Sequence, residues 1–473
     1  METDDPGFRA ERRRVLTAAG ALGAAGLGAV LATSREASAQ TAVTIPSYSK
    51  AGLPSAGIPG RLARVSDDVR GMWMDTGSQW FGIAGETVNV RDVGARGDGA
   101  TNDRSAIMNA IIAAAGSGGT VFFPPGTYLI NPGLDLNYSN VVLLGASPFA
   151  STLKLGVSSS IIIDTEPGQV SKVGIANLGI DGSKDDQAND SGGVGIYFRK
   201  VDKGFIRNCY IHDTARSGIV VGSPSDPTPC NDIDVSGNLL VNCGLAAGGG
   251  GQDKVGIGIT NARRVTVTGN IVRNAVLTGI DLEKHGSAVD VLENIVVANN
   301  VVEAGSYNFS EVFGIAVLGA GSFCYDITLN GNVIRGDASQ ARTAIVCEYA
   351  NRLAVNGNMM TAMMEHGMVF RTCYRVNVSN NAIYGAGLAA HNQYSGILVT
   401  AQDGTAMTRS AVFHIGGNIV ESVNSLSRPR YGIDLTSGGA ATGDSLVLGN
   451  LLLDYATAAV VGGTNSTKAY NPA

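Results

Sequence analysis

The chain has 473 residues, including 64 glycines, and only 16% of its residues are charged. This length can bury a large core, and no Pro-rich or Gly/Ser-only tract is long enough to form a disordered body. The formal net charge of −6 argues against a nucleic-acid partner or an anionic membrane surface. It also disfavours a polyanionic substrate, unless basic residues cluster locally.

Residues 1–39 have the pattern of an export signal. Arginines at 12–14 precede a small-residue apolar run at 18–32, and an Ala-Ser-Ala cleavage site follows at 37–39. This pattern resembles a twin-arginine signal peptide. The apolar run is shorter than the roughly 20 residues that span a bilayer, and later apolar stretches are interrupted every few positions. We therefore expect export to the periplasm, cell surface or medium, with no membrane span after signal removal.

Residues 40–85 form a leader that carries both tryptophans, Trp73 and Trp80. Alternation at 62–65 predicts a small hairpin or stalk. The leader resembles the neck that precedes the β-helix of tailspike-like secreted proteins, and this resemblance implies a homotrimer. The alternative is that both tryptophans pack on the first turn of the following domain.

The stretch from Val88 to Ile130 predicts a capped end of a repetitive fold. A helix lies between two glycine turns, and Asn102 or Asp103 caps its N-terminus. Such a helix covers the apolar side chains and the strand edge that an open solenoid end would expose. Its predicted apolar stripe consists of Ile107, Ile111 and Ile112.

This stretch closely resembles the N-terminal cap of the pectate-lyase-like superfamily. That superfamily comprises right-handed parallel β-helices related to polygalacturonases, rhamnogalacturonases, polysaccharide lyases, alginate epimerases and phage tailspikes. The resemblance implies an all-β fold: a single-stranded right-handed parallel β-helix solenoid with an N-terminal capping helix, over residues 86–473. It also implies a polysaccharide substrate, although the reaction does not follow from the fold.

Residues 172–461 alternate two strand-like phrases with a period of roughly 30 residues, which predicts a stacked solenoid. The first phrase contains Gly-Asn or Asn-Asn before an aliphatic pair. Asparagine tolerates left-handed backbone angles, and its amide can pair with the same residue of neighbouring turns, so we interpret these residues as structural. The ten asparagines are Asn177, Asn208, Asn238, Asn270, Asn300, Asn332, Asn358, Asn381, Asn418 and Asn450.

The second phrase has a glycine followed by an apolar residue, such as Ile280 or Ile433. Side chains alternate along a strand, so this apolar residue is expected to face the core. The residues one and three positions later then face outward. Because successive turns stack about 4.8 Å apart, this outer face is a candidate substrate groove.

One turn departs most from the second phrase, because it brings Asp281, Glu283, Lys284 and His285 within five residues. Asp281 and Glu283 share the outer face with Cα atoms about 6.5 Å apart, which suits two carboxylates flanking a glycosidic bond. Lys284 and His285 can neutralise a uronate carboxylate or move protons. Longer insertions in neighbouring turns bracket this turn. The alternative is a solvated strand end with internal ion pairs.

Five further residues are candidates for substrate binding. His212 and Asp213 lie together at a turn two periods earlier, although a lone His-Asp pair is usually structural. Arg199 lies on the predicted outer face. Glu348 and Arg371 occupy equivalent outer positions on successive turns, as a groove subsite or as a cross-strand ion pair.

No cofactor motif or zinc-ligand spacing is present, so no cofactor or metal is expected. The six cysteines are interpreted as small buried thiols rather than as disulfides. One acidic loop offers oxygen ligands for Ca²⁺, but its spacing does not match an EF-hand and an exposed loop is favoured. Its residues are Asp181, Asp185, Asp186, Asn189 and Asp190.

Signature phrases of the superfamily are missing. The ordered motifs of polygalacturonase-type hydrolases are not present, and the turn at 217–222 lacks the Asp and His of the alginate-epimerase phrase. We predict a glycoside hydrolase that uses Asp281 and Glu283 as acid and base or nucleophile. One alternative is a uronate lyase or C5-epimerase, in which Lys284 neutralises the carboxylate. The other is a non-catalytic glycan-binding or cell-surface structural protein.

Overall fold

The structure is a computed structural model. It describes residues 44–66, 71–82, 87–115, 118–156, 160–184, 193–224, 226–244, 254–286, 290–305, 312–336, 341–401, 412–423, 426–436, 445–462 and 467–469. The predicted export signal and residues 185–190 of the acidic loop lie outside these ranges. The architecture below lies in the unit that runs from Tyr48 to the C-terminus. No helix in the described ranges is long and apolar enough to cross a membrane.

The leader is a small sheet organised around the buried carboxylate of Asp75. That carboxylate accepts hydrogen bonds from the backbone N–H groups of Gly57, Ile58 and Gly77, and from the Arg61 guanidinium at 2.7 Å. Burial opposes ionisation, but these donors prevail and lower the pKa of Asp75 to about 2. The strands are Ser47–Tyr48, Leu62–Val65, Met72–Asp75 and Trp80–Gly82, with a 3₁₀ helix at Lys50–Gly52.

The cap contains a 3₁₀ helix at Val90–Val93 and one α-helix, Arg104–Ala115. The Asp103 carboxylate, just before the α-helix, accepts the N–H groups of Arg96 and Gly97 at 2.7 and 2.9 Å. The prediction of Ile112 in the apolar stripe is wrong, because that side chain is 50% exposed. A helix buries positions three and four apart, and the buried face here is Ile107, Ala110, Ile111 and Ala114.

The rest of the chain winds through three parallel sheets, which we call sheets I, II and III. Sheet I contains Thr87–Asn89, Thr120–Phe123, Val142–Gly145, Val170–Ala176, Val201–Arg207, Cys230–Ser236, Ala262–Thr268, Leu292–Ala298, Cys324–Asn330, Ala350–Asn356, Tyr374–Ser379, Phe413–Gly416, Leu446–Leu448 and Thr467–Ala469. Sheet II contains Asp98–Asn102, Gly126–Ile130, Ser151–Leu155, Gly179–Asp181, Tyr210–His212, Leu239–Val241, Ile271–Ala275, Val301–Ala304, Val333–Arg335, Met359–Thr361, Ala382–Tyr384, Ile419–Glu421 and Leu451–Leu453. Sheet III contains Leu134–Asp135, Ile163–Asp164, Ile196–Phe198, Ile219–Val221, Ile257–Ile259, Ile280–Glu283, Phe313–Leu318, Thr343–Glu348, Met368–Arg371, Ser395–Thr400, Tyr431–Leu435 and Ala458–Gly462.

This topology is the predicted right-handed parallel β-helix. Each turn has three strands rather than the two phrases read in the sequence. The first phrase covers a strand of sheet I, a turn and a strand of sheet II, as in 230–241, where the turn is Gly237-Asn238. Because this turn is only two residues long, the two strands read as one continuous phrase in the sequence. The corner between them is therefore not visible in the sequence pattern.

Eight of the ten asparagines form a buried ladder along the corner between sheets I and II. Asn270 shows the pattern: its Nδ2 donates to the Val235 carbonyl and to Asn300 Oδ1, both at 3.0 Å. Its Oδ1 accepts the backbone N–H and the Nδ2–H of Asn238 at 3.0 Å. Each amide is therefore satisfied inside the core. The ladder consists of Asn238, Asn270, Asn300, Asn332, Asn358, Asn381, Asn418 and Asn450.

Asn177 and Asn208 do not stack in this ladder, so that prediction is wrong for them. They occupy the preceding position, with left-handed φ values of 55° and 52°. The strand register aligns Asn208 with Gly237, and Cys209 takes the ladder position, where its N–H donates to Asn238 Oδ1 at 2.9 Å. Asparagine serves both positions because it tolerates a left-handed backbone nearly as glycine does.

The six cysteines are buried free thiols, which confirms their interpretation as small core residues. Burial raises the pKa of Cys209 and of Cys230 to about 12. The Cys373 thiol contacts the Cys347 carbonyl oxygen, with Sγ 3.2 Å from the oxygen. These thiols are protonated at neutral pH and contribute packing rather than reactivity.

Candidate functional site

The outer face of sheet III carries the candidate site, and its side chains alternate as the sequence predicts. Ile280 and Ile433 are fully buried in the core. Asp281 directly follows Ile280 and points outward. It is aligned with Gly258 on the preceding turn and with Ala316 on the next. Small neighbours on both sides leave space above this carboxylate.

Asp281 and Glu283 line a shallow depression with an empty volume of about 260 Å³. Sheet III continues to sheet I through only Thr260 and Asn261 in one turn, whereas the connections at 222–229 and 284–291 on either side are longer. The depression lies beside this short connection, because Thr260 belongs to its lining. Its polar lining is Thr260, Asp281, Glu283 and His285, and its apolar lining includes Val220, Val255 and Gly258.

The polar groups of the depression differ in exposure. Asp281 is 8% exposed and Thr260 is 5% exposed. The Thr260 hydroxyl is buried and has no hydrogen-bond partner within the described ranges. His285 is exposed at the rim, and its backbone N–H donates to Asp290 Oδ2 at 3.1 Å. The depression therefore combines a nearly buried carboxylate, a second carboxylate and an accessible imidazole.

Lys284 points away from these groups. The strand alternation turns its side chain inward, where it is 7% exposed and its Nζ donates to the Phe323 carbonyl at 3.3 Å. Its backbone N–H donates to the Leu318 carbonyl at 2.8 Å. The sequence suggested that Lys284 shares the outer face with Asp281, but its side chain is buried and is not part of the described lining. The described lining of the depression contains no lysine or arginine.

Arg199 lies on the same sheet, three turns before Asp281 in the strand register. Its Nε and Nη2 donate to the two carboxylate oxygens of Asp164 at 2.8 and 3.1 Å. Glu166 is a second carboxylate partner at 3.3 Å, and the guanidinium lies 4.1 Å above the Tyr197 ring. Arg199 is thus held by protein carboxylates.

Glu348 and Arg371 are directly opposite each other on neighbouring strands of sheet III and form an ion pair. This is the cross-strand pair that was one of the two interpretations. Both side chains are partly exposed. In the register of sheet III, Glu348 lies two turns beyond Glu283 and Arg371 lies three turns beyond it.

His212 and Asp213 belong to a different surface, because His212 ends a strand of sheet II. His212 Nδ1 lies 2.8 Å from Asp213 Oδ2, and the imidazole stacks on Tyr210 with ring centroids 4.4 Å apart. Asp213 Oδ1 also accepts Asn242 Nδ2 at 3.2 Å. The pair is well ordered but is not brought to Asp281.

Two residues on the sheet III face were missed, His366 and Tyr394. His366 precedes Gly367 as Val255 precedes Gly256, so it shares the outward row that lines the depression. His366 Nδ1 lies 3.0 Å from the Ser395 N–H group and 3.3 Å from the Ser395 carbonyl oxygen, so Ser395 holds the ring in place. Burial lowers the pKa of His366 to about 4. The available signal was a histidine directly before Gly367, the glycine of the second phrase in that turn.

The described residues contain no group of three or more histidine, cysteine or acidic side chains that could hold a metal ion. Asp181, the described acidic residue of the proposed calcium loop, accepts the Ser183 N–H at 2.8 Å in a local turn. The other residues of that loop lie outside the described ranges.

Known proteins resemble this chain in sequence over parts of its length. Residues 87–305 match the family described as Rhamnogalacturonase A/epimerase, pectate lyase-like. Mannuronan C5-epimerase AlgE3 of Azotobacter vinelandii is 36% identical over 122 residues, which are 23% of this chain and 6% of that protein. Alginate lyase 7 of the same organism is 35% identical over 117 residues, which are 22% of this chain and 14% of that protein. The chain therefore covers only a small part of the length of these relatives.

Solved structures share the fold over most of the chain. The A-module of mannuronan C-5 epimerase AlgE4 from Azotobacter vinelandii superimposes with a TM-score of 0.64 at 20% identity, covering 80% of this chain and 99% of that one. PfbA, a surface adhesin of Streptococcus pneumoniae, gives a TM-score of 0.58 at 16% identity, covering 79% and 91%. At these identities the likeness concerns the fold alone. The family match covers residues 87–305, which is less than half of the chain.

Proposed function

We propose that the chain modifies a uronate-containing polysaccharide by removing the C5 proton of a sugar residue, as a C5-epimerase or a lyase. The observation that carries this proposal is the depression on sheet III, where Asp281, Glu283 and His285 meet. Sequence similarity to mannuronan C5-epimerases and an alginate lyase supports the same chemistry. This differs from the hydrolase that the sequence alone favoured.

The reaction requires a base and an acid near one sugar ring. The base removes the proton at C5, next to the carboxylate. In epimerisation an acid returns a proton to the opposite face of C5. In elimination the acid protonates O4 while the C4–O4 bond breaks and a C4–C5 double bond forms.

The depression offers groups for both steps. His285 is the exposed imidazole, and a ring nitrogen of histidine can act as a general base. Asp281 is nearly buried in the same lining, and its carboxyl group can act as a general acid or base toward a bound sugar. The buried Thr260 hydroxyl lies in the same lining and can donate a hydrogen bond to the sugar.

A glycoside hydrolase is the second candidate, and the observation that favours it is the pair of carboxylates on one face. Asp281 and Glu283 are two residues apart on one strand, with Cα atoms about 6.5 Å apart. Two carboxyl groups at such a separation can act as acid and nucleophile or base across a glycosidic bond. The described lining contains no lysine or arginine to pair with a uronate carboxylate, and a neutral sugar needs no such partner.

Incubation of the full chain with a polysaccharide panel separates these candidates. The panel includes polymannuronate, polygalacturonate and a neutral glucan. We expect unsaturated uronate absorbance or a changed ratio of C5 epimers with an acidic polymer. New reducing ends without unsaturation would support the hydrolase instead. Binding without any product would overturn both enzymes and favour a glycan-binding protein.

A further inference from the structure

We propose that a second surface on sheet III, formed by His366, Tyr394, Arg430 and Tyr431, binds a carboxylated sugar residue. We call it the Tyr394 cluster. The class of ligand rests on the proposed function, whereas the site is argued from its own geometry. It lies apart from the depression and uses side chains that the proposed reaction does not need.

The cluster lies along the same row as one wall of the depression. Ser395 and Tyr431 are aligned on neighbouring strands, and the register places His366 one turn before Ser395. Four turns before His366, toward the N-terminus, the same register reaches Val255, which lines the depression. At about 4.8 Å per turn the separation is roughly 19 Å. A polymer lying along sheet III can therefore contact both places at once.

Arg430 supplies a positive charge that is not already neutralised. Its guanidinium lies 4.8 Å over the Tyr431 ring and is exposed, and no carboxylate within the described ranges pairs with it. The nearby arginines differ, because Arg342 pairs with Glu365 at 2.7 Å and Arg371 pairs with Glu348. A guanidinium stacked on an aromatic ring keeps its N–H donors for a planar carboxylate.

His366 and Tyr394 add groups suited to sugar hydroxyls. Their rings meet edge to face, with centroids 5.3 Å apart. Ser395 contacts only Nδ1 of His366, and neither His366 Nε2 nor the Tyr394 hydroxyl has a hydrogen-bond partner in the described part of the chain. A backbone hydrogen bond of 2.5 Å from Arg430 N–H to the Tyr394 carbonyl holds the two residues side by side.

The combination favours an acidic sugar over a neutral one. Aromatic faces and hydroxyl donors serve any sugar. The unpaired guanidinium contributes only when the ligand carries a carboxylate, because it would otherwise gain nothing over its contact with water. The cluster is thus expected to discriminate uronates from neutral hexoses.

Calorimetric titration of the full chain tests this site without requiring turnover. The ligands are oligomannuronate, oligoguluronate, oligogalacturonate and a neutral cello-oligosaccharide. We expect at least one acidic ligand to bind and the neutral one to bind far more weakly. Arg430→Gln should weaken acidic binding about tenfold and Tyr394→Phe about threefold. Arg335→Gln removes the same charge from an exposed position on sheet II and should leave affinity unchanged.

Three results would overturn the inference: no acidic ligand binds the unaltered chain, Arg430→Gln binds as tightly as the unaltered chain, or Arg335→Gln weakens binding equally. Thermal unfolding of each variant verifies that it is folded. Binding that depends on Arg430, in a chain that forms no product, would remove the proposed function and retain this site. Product formation with Arg430-independent binding would do the reverse.

Discussion

The outer face of sheet III has two chemically different regions, the depression at Asp281 and the Tyr394 cluster. The depression is lined by two carboxylates and an imidazole, and Lys284, next to Glu283 in the sequence, has its side chain turned into the protein. The Tyr394 cluster has an exposed arginine, a tyrosine hydroxyl and a histidine that burial keeps neutral. The first region can exchange protons, and the second can hold an anion.

The Tyr394 cluster offers a cationic contact for a polyanionic substrate in a chain whose net charge is −6. A polyuronate is repelled by carboxylates unless a cation holds it nearby. One region alone would either bind the polymer without reacting or react poorly for lack of binding. Separating the two tasks along one face is compatible with a long substrate, because a polymer presents many equivalent residues.

The largest expected effect comes from Asp281→Asn, which removes a proton-transfer group while keeping its size. We expect turnover of the acidic polymer to fall at least about 100-fold, in line with the loss of a general acid or base. The measurement is the initial rate of product formation at saturating substrate.

Asp434→Asn is the matched control. Asp434 follows the same Gly-Ile pair, is also 8% exposed, and accepts the Thr436 N–H and hydroxyl in a local turn. Its loss should change turnover less than about threefold. Equal losses in both variants would contradict the assignment of chemistry to the depression.

The two regions keep a fixed spacing only if the stack of turns is rigid. The asparagine ladder is expected to stabilise this stack. Asn300→Ala removes the acceptor for two donors of Asn270 and the bonds that Asn300 Nδ2 donates to the Val267 carbonyl and to Asn332 Oδ1. Buried groups left without partners cost about 1–3 kcal/mol each, so we expect a loss of about 4 kcal/mol in the free energy of unfolding. Urea unfolding measures it.

The adjacent Asn299 provides the control for the ladder, because it has a left-handed φ of 57° and aligns with Gly331. Asn299→Gly should change the free energy of unfolding by less than about 1 kcal/mol. A similar loss for both asparagines would argue against the ladder as a specific source of stability.

The pH dependence of stability tests the environment of His366. Its pKa is about 4 in the folded chain, below the ordinary value of 6.5, because burial disfavours the charged ring. As pH falls from about 6.5 to 4, the unfolded chain therefore binds the proton first and stability decreases, by up to about 3 kcal/mol. His366→Asn should reduce this decrease, whereas substitution of the exposed His391 should not.

The smallest effect is expected for Lys284→Met. A buried lysine replaced by an apolar side chain of similar length usually changes stability little. Because its Nζ faces the Phe323 carbonyl rather than the depression, turnover should stay within about threefold. A fall of 100-fold would show that Lys284 reaches the substrate, as its neighbourhood in the sequence suggested.

The repetitive parts of the molecule were predictable because they depend on local rules. Alternation placed Ile280 inside and Asp281 outside, and asparagines spaced by one turn predicted the ladder. The same rules failed where one residue shifts the pattern. Asn177 and Asn208 precede the ladder position, and Lys284 turns inward at a strand end.

The candidate site was less accessible to sequence reasoning. The depression depends on the contrast between a two-residue connection at 260–261 and longer ones beside it, which the insertion lengths indicated. The Tyr394 cluster includes His366 and Tyr394, which lie just before the glycine of the second phrase in their turns. Its Arg430 comes from the next turn and is held beside Tyr394 by a backbone hydrogen bond. Such contacts between turns are long-range and have no local pattern.

The most direct test of the central claim is deuterium exchange at C5. The full chain is incubated with polymannuronate in deuterium oxide, and recovered sugars are examined by NMR and mass spectrometry. Proton abstraction predicts deuterium at C5 of epimerised residues or unsaturated ends without a C5 hydrogen, both lost in Asp281→Asn. Cleavage that yields new reducing ends with the original C5 proton retained would contradict the account and restore the hydrolase.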